Sequence, residues 1–229
     1  CEDIWNLGDN PLYRICPMDM MMEQGPDILL NLSASPFDYT HDEDRKATIK
    51  SNVVKYKKPL FYCNAIGSQT EIVFDGASLV FDKDANLCGA LPMFESAMQI
   101  FECNEDGSIN APILEPAASV PSKELNPANL IPALNIDQVY KALVLGVKDY
   151  FNKMGFKKAI LGSSGGIDSA VTLAIACEAL GKENVYAILM PSPYSTEHSV
   201  DDAVELSKNL GNPYDTLPIK EVYESFLQT

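Results

Sequence analysis

Eight consecutive residues carry the strongest chemical signal in the chain: Gly162, Ser163, Ser164, Gly165, Gly166, Ile167, Asp168 and Ser169. They follow a short apolar run and open an apolar helical pattern. Glycines carry no Cβ, so backbone N–H groups there can approach a phosphate closely. The start of a helix adds positive potential. Ser164 and Ser169 add hydroxyl donors. Asp168 does not suit a bare phosphate in that field. A carboxylate there calls for a metal, and Mg²⁺ bridging phosphates is the natural one. The other reading of the same residues is a Gly/Ser turn that caps a helix.

The rest of the composition narrows the chemistry. The chain has 229 residues, 46% apolar and 21% charged, which is a globular composition. Its formal net charge is −15, and no basic run exceeds Lys57–Lys58. Sequence-independent binding of nucleic acid needs clustered Lys and Arg, so nucleic acid is excluded as a partner. A small anion held by backbone N–H groups is not excluded. No apolar stretch reaches the roughly 20 residues of a membrane span, and there is no secretory signal at the start. The six cysteines, at positions 1, 16, 63, 88, 103 and 177, show no CxxC pair and no neighbouring histidine. That argues against zinc and against a disulfide framework. They read as reduced thiols in a cytoplasmic protein, those after Cys1 serving packing. The two histidines, His41 and His198, leave little for a His-based triad.

Two regions must position these residues. Residues 1–110 read as strand-rich: Ile28–Leu32, Pro59–Ala65, Thr70–Phe74, Ala77–Phe81 and Ser96–Cys103, with an exposed helix over 42–57. Asp75-Gly76, Asp84 with Asn86, and Asp106-Gly107 supply turns. Residues 112–132 hold five prolines, which read as a linker. Beyond it the periodicity changes. A helix runs from an Asn135 cap to Gly155, followed by a strand over 158–161, a helix over 167–180 and a strand over 185–190. A helix over 199–210, capped by Ser199 and Asp202, and a strand over 214–219 complete the series. Strands alternating with helices at this spacing imply a parallel, doubly wound α/β sheet.

The loop lacks the Lys of a Walker A motif and does not match GxGxxG. Ser164 to Ser169 instead spells SGGxDS, which resembles the pyrophosphate loop of N-type ATP pyrophosphatases. Those enzymes cut ATP between the α and β phosphates and activate an acceptor as an adenylate. The segment Met190-Pro-Ser-Pro-Tyr-Ser-Thr-Glu-His-Ser-Val-Asp-Asp-Ala203 is similar to the one that leaves the second strand in glutamine-dependent NAD⁺ synthetases. Pro193 stands where that family more often has a polar or basic residue. The resemblance implies ATP and Mg²⁺ on Gly162–Ser169, with Asp168 as the metal ligand and Met190 at the adenine. His198 reads as a catalytic base or as part of the turn that starts the next helix, the second being favoured.

The amino-terminal half carries a second resemblance. Cys1-Glu-Asp-Ile-Trp5 resembles the nucleophile motif of nitrilase-type amidohydrolases, specifically the glutaminase domain fused to these synthetases. There the Cys attacks an amide carbonyl, with a Glu as base and a Lys at the oxyanion. Asn31-Leu-Ser-Ala-Ser-Pro36 followed by Arg45 resembles that family's Asn-x-Ser-x-Ser-Pro segment with its downstream Arg. Ser35 then corresponds to a contact for the amino-acid end of glutamine. His41 stands where the family has Lys or Arg for the α-carboxylate. It reads as a glutamine contact or as an ordinary loop histidine. Arg45 either orients the site or solvates the helix face, the latter being favoured.

The resemblance implies three segments. Residues 1–111 would be the C-terminal half of a nitrilase-type α-β-β-α sandwich, and 112–134 a Pro-rich linker. Residues 135–229 would begin a doubly wound, Rossmann-like ATP-pyrophosphatase domain. The implied protein is a cytoplasmic, homo-oligomeric ligase that takes glutamine, ATP and deamido-NAD. The Glu and Lys of the amidase match no residue here, and further deamido-NAD and Mg²⁺ contacts are expected beyond Thr229. The sequence thus reads as truncated at both ends, and alone it should lack glutaminase activity. Two readings stay open beside this one: another glutamine-dependent pyrophosphatase of the GMP or asparagine synthetase type, and an inactive nucleotide-binding fragment.

Overall fold

The computed structural model describes residues 2–7, 13–39, 41–110 and 136–227. The expected linker over 112–134 and the Asn135 cap lie outside the described residues. Two compact units divide the chain, one of 1–67 with 72–142, the other of 68–71 with 143–229.

The first unit is built on a four-stranded sheet. Its elements in chain order are α1 (Pro17–Met22), β1 (Leu29–Ser33), α2 (His41–Tyr56), β2 (Leu60–Asn64), β3 (Ile66–Gln69), β4 (Ile72–Asp75), β5 (Leu79–Phe81), β6 (Leu87–Ala90), β7 (Glu102–Cys103) and β8 (Ile109–Asn110). The sheet order is β1-β2-β5-β6. β1 and β2 run parallel, with Leu29 opposite Leu60, while β2, β5 and β6 are antiparallel. The parallel pair needs a crossover, and α2 is that crossover. One sheet face and α2 close over Leu29, Ile49, Val53, Leu60, Tyr62, Leu79 and Phe81, together with Ile4 and Met18. On α2, Arg45, Ile49, Asn52 and Val53 all point inward and are buried. The spacing i, i+4, i+7, i+8 is a helix face. The sequence expectation of an exposed helix is therefore corrected. Arg45 and Asn52 hid the stripe, because they are polar yet buried.

Two strand expectations also change. Thr70 takes a φ of +52° and turns the chain, so the expected strand 70–74 is a hairpin of β3 and β4. Residues 96–101 form no ladder, and only Glu102–Cys103 pairs, with β8. Phe101 lies over the sheet instead. Its ring is T-shaped to Phe61 at 6.1 Å and occupies the place a side chain at Gly89 would take.

The second unit takes in α3 (Ile136–Met154) from Leu143 onward and then alternates strand and helix: β9 (Ala159–Gly162), α4 (Ile167–Leu180), β10 (Val185–Leu189), α5 (Glu197–Leu210), β11 (Tyr214–Thr216) and α6 (Lys220–Leu227). The sheet order is β11-β10-β9, parallel throughout. Leu173, Ala176 and Cys177 of α4 pack with Val185, Ala187 and Leu189 of β10 and with Ala203 of α5. The cap of α5 lies earlier than the sequence suggests. Thr196 is the N-cap and accepts the Ser199 N–H at 3.3 Å, so Ser199 sits inside the first turn. α1 and α6 were not read from the sequence; both are short, at six and eight residues.

Candidate functional site

Adjacent parallel strands bring their carboxyl ends together, and here those ends carry the signature residues. The loop of residues 163–166 leaves β9 and enters α4, while the segment after β10 begins at Met190. The Ser163 N–H donates to the Ile188 carbonyl at 2.9 Å, so the first loop starts as a continuation of the sheet. The Leu217 N–H reaches the Leu189 carbonyl at 2.8 Å on the other side. Ser163, Ser164, Leu189, Met190, Ser195 and Ser199 are among the residues that line a cavity of about 80 Å³. The structure thus brings Ser163 and Ser164 together with Met190, which the sequence separates by 26 residues or more. Met190 also crosses Gly162: a Cβ there would lie 3.3 Å from the Met190 methyl carbon.

The loop has its own internal bonding. Gly165 has a φ of +81°, a conformation costly to any residue with a Cβ. A Cβ on it would also overlap the backbone carbonyl of Ser199. Gly166 is the N-cap of α4 and supplies no capping side chain. Ser164 and Ser169 take over that work. The Ser164 N–H donates to Ser169 Oγ at 3.2 Å, and the Gly166 N–H donates to Ser164 Oγ at 3.2 Å. Ser169 Oγ donates to the Gly166 carbonyl at 3.0 Å. The two hydroxyls that the sequence marks as phosphate donors therefore close the loop on itself.

Asp168 and Ile167 are exposed in the first turn of α4. Mg²⁺ commonly takes one or two protein carboxylates and completes its shell with phosphate oxygens and water. A single exposed carboxylate in the turn that follows the loop suits that mode. Among the described residues no group of three or more His, Cys, Asp or Glu side chains is arranged to hold a metal alone. Ser163 stands out for another reason. It is buried, and its Oγ has no hydrogen-bond partner among the described residues. His198 is exposed in the first turn of α5 and does not line the cavity.

The residues singled out in the first unit fare unevenly. Cys1 lies outside the described residues, as does the side chain of His41, whose backbone opens α2. Ser35 is buried just after β1. Its N–H donates to Asn64 Oδ1 at 2.8 Å, and Asn64 Nδ2 donates back to the Ser35 carbonyl at 3.4 Å. Asn64 Nδ2 also donates to Asp75 Oδ1 at 3.0 Å. Asp75 in turn receives a two-point fork from Arg45: Nη1 to Oδ1 at 2.9 Å and Nη2 to Oδ2 at 2.5 Å. Arg45 is 1% exposed. Burial works against its charge, but the hydrogen bond and the charge of Asp75 more than offset it and raise the guanidinium pKa. Arg45 therefore does not solvate a helix face, and that expectation is corrected. Asn64 was not singled out, and Asp75 was read only as part of an Asp75-Gly76 turn, since nothing in the local sequence marks either as a partner of Ser35 or Arg45. Of the later cysteines, Cys88 and Cys177 are buried as expected for packing, whereas Cys63 and Cys103 are exposed.

Comparison with known proteins gives these two regions a common context. The family model described as NAD synthase matches residues 139–229. The glutamine-dependent NAD(+) synthetase of Synechocystis is 38% identical over 233 residues, spanning 100% of this chain and 39% of that protein. That of Thermotoga maritima is 32% identical over 247 residues, spanning 100% of this chain and 42% of that protein. The solved glutamine-dependent NAD+ synthetase of Acinetobacter baumannii, in complex with adenosine diphosphate, superposes with a TM-score of 0.82 at 31% identity. It covers 100% of this chain and 39% of that one. The chain thus spans about two fifths of the length of the relatives it matches. Among the described residues no helix is long and apolar enough to cross a membrane.

Proposed function

We propose that this chain, related along its whole length to the glutamine-dependent NAD⁺ synthetases, belongs to a ligase that converts deamido-NAD to NAD⁺ with ATP and glutamine. The nicotinate carboxylate attacks the α-phosphate of ATP, forming an adenylate and releasing pyrophosphate. Ammonia then displaces AMP and forms the amide. Gly162 to Ser169 hold the phosphates. Their N–H groups and hydroxyls meet the charge that grows on the leaving pyrophosphate. Asp168 is the carboxylate for Mg²⁺, which would neutralise phosphate charge when bound. Met190 lies against the adenine. Ammonia comes from glutamine. The Cys1 thiolate attacks the side-chain amide, ammonia leaves, and water hydrolyses the thioester to glutamate. Ser35 and His41 hold the amino-acid end of glutamine.

In this reading residues 1–111 are the C-terminal half of a nitrilase-type α-β-β-α sandwich and 112–134 a linker. Residues 135–229 open a doubly wound ATP-pyrophosphatase domain, and the protein is a cytoplasmic homo-oligomer. The observation that carries the proposal is a parallel sheet at whose carboxyl ends Ser163 and Ser164, at the start of the SGGxDS loop, line one cavity with Met190. It is tested in the intact protein with Mg·ATP and ammonium. Pyrophosphate release should depend on deamido-NAD. No stimulation by deamido-NAD, or stimulation by aspartate or xanthylate instead, rejects it. Asp168→Asn should raise the Mg²⁺ concentration needed for half-maximal ATP binding about tenfold, or ~1.4 kcal/mol. An unchanged Mg²⁺ requirement removes Asp168 from the metal.

A further inference from the structure

The buried network around Asp75 joins four elements that the sequence keeps apart. Arg45 comes from the second turn of α2, Asn64 from the end of β2, Asp75 from the end of β4, and Ser35 from the loop after β1. Arg45 and Asp75 are each 1% exposed, Asn64 7% and Ser35 9%. A charge pair at that depth is a poor source of net stability, because desolvation consumes most of its Coulomb energy. What a two-point fork supplies is direction. Asp75 uses both oxygens on the Arg45 fork, and one of them also receives Asn64 Nδ2. That fixes the plane of the Asn64 amide. The amide then grips Ser35 from both sides, taking its N–H and donating to its carbonyl. The Asn64 backbone is held in turn, its N–H donating to Ser78 Oγ at 3.0 Å. Ser35 is not left to set its own backbone angles. On the other arm, Arg45 stands four residues after His41 on α2. Locking Arg45 to Asp75 therefore also sets the rotation of the helix turn that begins with His41.

The geometry points to Arg45, Asp75 and Asn64 as positioning residues that fix Ser35 and the first turn of α2 relative to each other, so that both meet one glutamine. This inference rests on the proposed role of Ser35 and His41 as glutamine contacts. None of the three need touch glutamine. Each acts through the position of a residue that does.

The test uses the intact protein that carries this chain, assayed with glutamine and with ammonium as alternative nitrogen donors. Asn64→Leu cuts the link to Ser35 while leaving the Arg45–Asp75 pair in place. Arg45→Lys keeps the charge and loses the fork, and Arg45→Met loses both. Folding is followed by circular dichroism. For Asn64→Leu the KM for glutamine should rise at least tenfold, with kcat at saturating glutamine changed less than threefold. The ratio of glutamine-driven to ammonium-driven turnover at low glutamine should fall by the same factor. Arg45→Lys should recover part of what Arg45→Met loses. A folded Asn64→Leu protein with an unchanged KM for glutamine overturns the inference. So does a parallel fall in glutamine-driven and ammonium-driven rates, which marks a merely structural role. Ser35→Ala separates the two levels. If it leaves the KM for glutamine unchanged, the proposed contact itself is wrong. If it raises that KM and Asn64→Leu does not, only the positioning network is wrong.

Discussion

Gly165 does two things that no other residue could do in its place. It holds a φ of +81°, and it lets the backbone of Ser199 come within the space of a side chain. Gly165→Ala should therefore cost about 1–3 kcal/mol of stability and abolish measurable ATP binding, checked by thermal unfolding and by calorimetric titration. Ser163 makes the opposite case. Its buried Oγ has no partner among the described residues, and an unsatisfied buried hydroxyl costs about 1–3 kcal/mol. Ser163→Ala should leave the free chain as stable or more stable. If the hydroxyl meets a polar atom of the nucleotide, ATP affinity should fall at the same time. A variant that loses stability, or binds ATP unchanged, contradicts this. Residue types and spacing were enough to find the loop, because glycines, hydroxyls and the carboxylate lie within eight positions. Arg45 was read as orienting the site or solvating a helix face, and the favoured second reading fails on its burial. Its meaning depends on Asp75, 30 residues away, whose burial no local pattern announces.

Elements were read best where one hydrophobic period ran unbroken. β9, α4, β10 and α5 follow the sequence pattern closely, because each is a single apolar run or a single helical period, and β10 packs its buried residues against α4 and α5. The first unit was harder. Its strands are three to five residues long or shorter, and turns such as Thr70 interrupt them where the residue types favour extension. The 96–101 segment has strand-like composition but no partner edge, and pairing is what makes a strand. One such turn has a measurable consequence. Between β5 and β6, Asp82 Oδ1 accepts the N–H groups of Asp84 and Asn86, each at 2.9 Å, and Oδ2 accepts Asn86 Nδ2 at 2.9 Å. Burial works against the carboxylate, but these bonds hold its pKa below the ordinary 3.8. A depressed acid stabilises the fold above its unfolded-state pKa and loses that contribution as pH falls through the folded one. Stability should thus drop below about pH 4, and Asp82→Asn should flatten that part of the pH–stability curve. An equally steep acid limb in the variant places the dependence elsewhere.

At the scale of each whole unit, the surfaces differ as much as the cores. The sheet face of the first unit turned away from α2 leaves Leu30 69% and Leu32 78% exposed, and in the same unit Met98 is 90% and Ile100 81% exposed. Exposed apolar surface of this kind drives association, despite a net charge of −15 that favours solubility. The 229-residue chain on its own should self-associate in light scattering, and Leu32→Glu should reduce that association without lowering the unfolding midpoint. Equal association in the variant would move the sticky surface elsewhere. In the second unit, the latch made by Ser164 and Ser169 bears on which anions the chain can hold among the many in a cell. The loop is no vacant cradle waiting for charge. Its N–H groups at Ser164 and Gly166 already have partners, so an incoming anion must outbid them. If the loop takes the phosphates as proposed, its own bonds are exchanged for bonds to the ligand. A triphosphate, with several acceptor oxygens, should then compete for the loop far better than inorganic phosphate, and a competition titration in which the two compete equally would contradict this.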